Sequence, residues 1–120
     1  MPLPRFTGRG VATIQGCFYL ATGVWPLVHR RSFEHVTGPK ADFWLAQTVG
    51  ITVAAIGVGL VQAGSRRHVP AELRTVAVTS AVGLAAIDVY FVAQGRIRPI
   101  YLTDAAAELA LVAGWLLARE

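Results

Sequence analysis

Four apolar runs, at roughly residues 11–29, 41–63, 71–94 and 99–117, take up most of a 120-residue chain, and the fixed charges gather between them. Each run is close to the ~20 residues a helix needs to cross a hydrocarbon core of about 30 Å. Backbone N–H and C=O groups in hydrocarbon must be satisfied within a helix or a closed barrel. The pattern therefore predicts an all-α integral membrane protein, a four-helix up-and-down bundle with four transmembrane helices forming a single domain over 1–120. Composition points the same way: 15% of the residues are charged and 54% are hydrophobic, with a mean hydropathy of +0.51. A soluble domain carries roughly 25% charged residues and would struggle to hide so much apolar surface.

Local signals mark the ends of the runs. Pro39, Pro70 and Pro99 precede three of them, where a missing N–H is harmless and a fixed φ suits a first helical turn. Asp42 and Glu72 are then expected in first turns, where the helix dipole favours negative charge. The first run closes on Trp25-Pro26 and His29-Arg30-Arg31, aromatic and basic residues of the kind that anchor a helix at the interface. A signal peptide is the competing reading of this run, but no small-residue cleavage site follows it.

Four crossings put both termini on one side. Arg5, Arg9, Arg66, Arg67, Arg74 and Arg119 give six basic residues there; Arg30, Arg31, Lys40, Arg96 and Arg98 give five on the other. By the positive-inside rule this slim excess places the termini of a multi-pass cell-membrane protein in the cytoplasm. The net charge of +4 reads as anchoring to anionic headgroups, with no nucleic-acid partner. The partners expected are the lipid bilayer, a homo-oligomer or larger membrane complex, and a small-molecule ligand.

Several chemistries lose support at once. A single cysteine, Cys17, excludes an internal disulfide and is expected to be a small packing residue. His29, His35 and His68 lack metal-ligand spacing, so no metal site is expected, and nothing specifies a cofactor. No phosphate loop, nucleophile elbow or Ser/His/Asp order occurs. Rows of small residues (Gly50, Ala54, Gly57 and Gly59; Ala77, Ala81 and Ala85; Ala106, Ala110 and Gly114) predict close helix packing. Trp44-Leu45-Ala46-Gln47 with Gly57 also aligns with Tyr101-Leu102-Thr103-Asp104 with Gly114, a faint repeat of a kind that apolar helices give readily.

The functional clue lies in the last run, where Asp104 and Glu108 stand one turn apart and share a face. Ordering the polar residues by depth puts His29, Gln47, Asp88, Gln94, Asp104 and Glu108 in the half of the bundle away from the termini. Gln15, Tyr19, Thr22, Pro26 and His29 make a stripe on the first run, and Tyr101, Asp104, Glu108 and Trp115 make one on the fourth. Charged groups near the bilayer centre cost about 2.5–3.5 kcal/mol on insertion scales, so these stripes should face inward. Glu108, Asp104, Asp88, Gln47 and His29 are the candidates to bind a ligand or proton, with Arg30, Arg31, His35, Lys40, Arg96 and Arg98 as rim or lid. The plainer reading of these acids, and the favoured one for Asp104, is that they pair with Arg30, Arg31, Arg96 or Arg98 at the rim and hold the helices in register. The function expected is a binding or assembly subunit with a carboxylate-lined intramembrane pocket. A proton-coupled transporter of a small or cationic molecule, working as a dimer, is the alternative. An intramembrane acid/base enzyme ranks last, because no oriented partner base is visible.

Overall fold

The computed structural model describes residues 7–66 and 68–118. Within them the chain is all-helical, with α1 at Gly8–Val28, α2 at Arg30–Thr37, α3 at Phe43–Gly64, α4 at Ala71–Ala93 and α5 at Tyr101–Leu117, and no strand occurs among the described residues. Three of these helices, α1, α3 and α4, are long and apolar enough to cross a membrane. At 17 residues α5 is shorter and carries both Asp104 and Glu108. Arg5, Arg67 and Arg119, used in the charge balance, lie outside the described residues.

Helix α1 starts three residues before the expected run because Thr7 caps it, its hydroxyl accepting the Gly10 N–H at 3.0 Å. It runs through Pro26 to Val28, so Trp25-Pro26 lies inside the helix and does not end it. Helix α3 begins later than expected, at Phe43, which makes Asp42 its N-cap residue with no side-chain capping bond. Glu72 does fall in the first turn of α4.

The stretch between the first two apolar runs, which carries Arg30, Arg31 and His35 of the expected rim or lid, is a helix. His29 Nδ1 accepts the Ser32 N–H at 3.1 Å, Arg30 Nε donates to Glu34 Oε1 at 2.9 Å one turn on, and Gly38 ends the helix at φ 101°. Phe33 then packs edge-on against both Trp25 and Phe43, at 5.4 and 6.1 Å between ring centroids, which ties α2 down across the ends of α1 and α3.

Two antiparallel pairs, α1 with α3 and α4 with α5, build the molecule. The first pair is joined by glycines seven residues apart on each helix. Gly23 lies against Gly50, Gly16 against Gly57, and Gly64 against Thr13 and the Arg9 carbonyl. A Cβ on Gly16 would fall 2.8 Å from Val61 N, one on Gly57 2.8 Å from Gly16 O, and one on Gly23 2.7 Å from Ala54 N. The backbones thus meet with no room for a side chain, as membrane helices do when lipid offers no less apolar a partner than leucine. A seven-residue repeat on both helices keeps that seam facing its partner along the pair.

Packing also separates the faint repeat. Gly57 abuts Gly16 of its own hairpin, whereas the aligned Gly114 faces Val11 of α1, in the other hairpin. Outside the seams the helices present Ile14, Ile51, Val58, Ile87 and Leu116 to the surroundings, the last 74% exposed. The Cys17 thiol is on that exposed surface too, contrary to the packing role expected of it.

Gly57→Ala and Gly16→Ala are expected to lower the melting temperature in mild detergent, since overpacking costs about 1–3 kcal/mol. Gly83→Ala is the control: a Cβ there meets nothing within 4 Å, and the change should be neutral or stabilising by up to ~1 kcal/mol. Equal melting of all three variants would mean that the seam is not close-packed.

Candidate functional site

The hairpins meet through side chains more than backbone, and the meeting is polar in the middle. Gln15 of α1 reaches both helices of the other pair: its Nε2 donates to Ala77 O at 3.0 Å, and its Oε1 accepts Trp115 Nε1–H at 2.7 Å. Arg74 donates to the Trp115 carbonyl at 2.7 Å and lies over its ring at 5.7 Å. Gln15 and Trp115 are completely buried, and Val11, Ala12, Leu60, Ala63 and Leu111 close around them. A buried amide satisfied at both ends fixes how α1 rotates against α4 and α5.

That rotation carries the next turn of α1 to the acids. Tyr19, four residues after Gln15, donates its hydroxyl to Glu108 Oε1 at 2.7 Å, and Glu108 is only 1% exposed. Asp104, one turn earlier on α5, lies beside both Glu108 and Asp88. Asp88 comes from the face of α4 that also buries Ala77, Ala81 and Ala85. It is 6% exposed, and its Oδ2 has no hydrogen-bond partner among the described residues.

The three carboxyls line a cavity of about 170 Å³ between the hairpins. Its acidic wall comes from α4 and α5, and its opposite wall from Ala46, Val49, Gly50 and Val53 of α3. Tyr19, Phe33 and Tyr101 supply aromatic surface. Toward the termini, the Gln15–Trp115 junction and its apolar core lie beyond the acids.

Not every expected residue gathers here. Gln47 is half-buried and faces a separate groove beside Pro26, Arg30 and Asp42. Neighbouring Ala46 points into the cavity instead, because one residue on a helix is a rotation of about 100°. His29 is exposed and caps α2, its Nδ1 2.6 Å from the Ser32 hydroxyl. Gln94 and Arg96 are exposed beyond the end of α4.

The basic residues form a separate layer. Arg30, Arg31, His35 and Arg98 line a groove on the outer side of α2, where Arg98 Nη1 donates to the His35 carbonyl at 3.1 Å. Arg30 pairs with Glu34 and lies over the Phe43 ring at 4.4 Å. The Lys40 N–H and the Arg30 guanidinium hold the Glu34 carboxyl below the usual glutamate range. Lys40 Nζ donates to the Thr37 and Gly38 carbonyls and lies 5.4 and 5.8 Å from the rings of Tyr101 and Phe33. Among the described residues no basic side chain pairs with Asp88, Asp104 or Glu108, so the pairing expected for Asp104 with Arg30, Arg31, Arg96 or Arg98 is not made. No three His, Cys, Asp or Glu side chains among the described residues are arranged to hold a metal ion.

The sequence places Gln15 on the inward-facing stripe of the first run but does not name its partners. Its signal was legible: it lies one turn before Tyr19 on the same stripe, at the depth of Trp115 on α5. No family model, curated protein or solved structure matches this chain.

Gln15→Leu keeps much of the volume but leaves Trp115 Nε1–H without its acceptor, a loss of roughly 1–3 kcal/mol. Its melting temperature in detergent should fall well below that of Gln62→Leu, a substitution of an exposed residue. Equal melting of the two would deny that the junction holds the hairpins together.

Proposed function

We propose that the chain is a four-span membrane protein, with α5 as its fourth crossing, that binds a cation or exchanges a proton at Asp88, Asp104 and Glu108. The observation that carries this reading is Asp88: a carboxyl nine-tenths buried, with one oxygen unpartnered, facing a cavity that two more acids line. Three carboxyls in a low-dielectric cavity without a basic neighbour need a neutralising charge, either a proton or a bound cation. In a purely structural acid cluster a buried oxygen without a donor is the exception.

The fourth crossing is supported by length and contact. Seventeen residues make a helix of about 26 Å, slightly short of the core thickness. Yet α5 runs the length of α4, from Asp104 beside Asp88 to Trp115 beside Arg74. Transport, the other reading, would require the Gln15–Trp115 junction to open, since it lies between the cavity and the terminal side; binding needs no such movement. An acid/base enzyme would need a substrate-facing partner base, and Tyr19 is already committed to Glu108.

Topology is open to direct labelling in a Cys17→Ala background. Ala41→Cys should react with an impermeant maleimide from outside intact cells, and Ser65→Cys and Leu117→Cys only after permeabilisation. Reaction of Leu117→Cys together with Ala41→Cys would mean that α5 does not cross, and reversal of the whole pattern would put the termini outside.

The site itself is tested with an apolar carbodiimide, which adds to protonated carboxyls in apolar surroundings and is read by peptide mass spectrometry. The parent should be modified at Asp88, Asp104 or Glu108. Glu108→Gln keeps the acceptor for Tyr19 but cannot ionise; it should melt like the parent and lose modification at that position, with reduced modification of its neighbours. Glu108→Ala strands the Tyr19 hydroxyl and should destabilise by about 1–3 kcal/mol. A parent that stays unmodified in acidic buffer at low salt, where protons displace any bound cation, would overturn the reading.

A further inference from the structure

We infer that the occupant of the cavity is a small amphiphilic organic cation: an ammonium head against the three carboxyls with a short alkyl body along α3. This rests on the reading of the cavity as an ionisable site and adds the chemical class it selects. Four features of the walls lead to it.

The first is the missing donor. Among the described residues Asp88 Oδ2 is buried with no donor from outside the acid cluster, its neighbour being the Asp104 carboxyl, and the other charged residues that line the cavity are Asp104 and Glu108. A ligand that brings N–H groups and a positive charge satisfies both deficits together. The second is the division of polarity. All three acids come from α4 and α5, and the facing wall of Ala46, Val49, Gly50 and Val53 has no polar side chain. A hydrated inorganic ion would leave that wall in contact with water, whereas an alkyl chain removes it from water.

Size is the third. About 170 Å³ is several times the roughly 30 Å³ that a water molecule occupies, so the space exceeds a bare ion. Hard divalent ions also demand six or more oxygens in closed geometry, and no metal-holding group of side chains occurs among the described residues. The fourth is aromatic surface. Phe33 and Tyr101 line the cavity, and the ammonium of Lys40 already lies within 6 Å of both ring centroids, so these rings accept an alkylammonium group of this chain itself. Lys40 is anchored on the Thr37 and Gly38 carbonyls and is not among the lining residues, which leaves the acids to an external cation.

The experiment measures protection of the full-length protein in detergent against carbodiimide modification, using methylammonium, butylammonium, sodium, potassium and neutral butanol at constant ionic strength. Butylammonium should protect at a concentration at least tenfold lower than sodium or potassium, methylammonium should fall between, and butanol should not protect. Ala46→Leu fills the apolar end; it should weaken protection by butylammonium about tenfold while leaving that by methylammonium unchanged. If Ala46→Leu does not fold, the wild-type series alone decides. Modification that sodium, potassium and butylammonium block equally, or that butanol blocks, overturns the organic-cation class and leaves the ionisable site standing. A parent that is never modified overturns the site and this inference with it.

Discussion

Everything in this molecule hangs on a backbone-to-backbone seam. Gly16 and Gly23 of α1 meet Gly57 and Gly50 of α3 where not even a methyl group fits. In a membrane the hydrophobic effect gives helices no reason to prefer each other over lipid, so close approach and the dispersion contacts it brings must supply the preference. The seam also fixes the observed register, in which Gly23 meets Gly50 and Gly16 meets Gly57 while Gly64 lies against Thr13. Tyr19 lies between Gly16 and Gly23 in sequence but is buried toward the other hairpin, so the glycine seam decides which way the polar stripe of α1 points.

The second hairpin joins by a different principle. Contacts from α4 and α5 to α1 are few but specific: the Gln15 amide to Ala77 and Trp115, then the Tyr19 hydroxyl to Glu108. Such bonds fix rotation without closing the space beside them. Toward the termini the gap is filled by Leu60, Leu111 and the Trp115 ring. Toward α2 the fillers are small or acidic, with Ala46 and Gly50 facing Asp88 and Asp104, and the gap persists as the cavity. Close packing of one pair and polar docking of the other thus leave a partly open space between them.

Much of this was legible in the sequence, and the failures have physical causes. The apolar runs located α1, α3, α4 and α5 to within a few residues, because the length needed to cross hydrocarbon leaves little freedom. The acids could be grouped because depth follows from position along a helix. Rotation could not be read as well: α3 is apolar on nearly every side, so Gln47 looked as good a cavity residue as Ala46, and only the glycine seam decides between them. Helix α2 lies in a polar stretch between apolar runs, where the Arg30–Glu34 spacing and the His29 cap that make it helical are short-range signals with no apolar periodicity to announce them. Gln15 was undervalued because its meaning depends on Trp115, 100 residues away in sequence.

Placement of the basic residues completes the logic of the acids. Arg30, Arg31, Arg98 and Lys40 lie close enough along the chain to neutralise carboxyls, yet each is held elsewhere or faces outward: Arg30 on Glu34 and Phe43, Arg98 on the His35 carbonyl, Lys40 on the Thr37 and Gly38 carbonyls, and Arg31 in the outer groove. Helix α2 carries or binds most of these partners, so the same short helix that covers the cavity with Phe33 also keeps cations away from it. Had α2 been a loose loop, Lys40, whose ammonium lies beside the ring of Tyr101, would have been the nearest candidate to reach inward and pair with Asp104. Because α2 is ordered and its cations are engaged on its own groups, Asp88, Asp104 and Glu108 are left without a basic partner among the described residues.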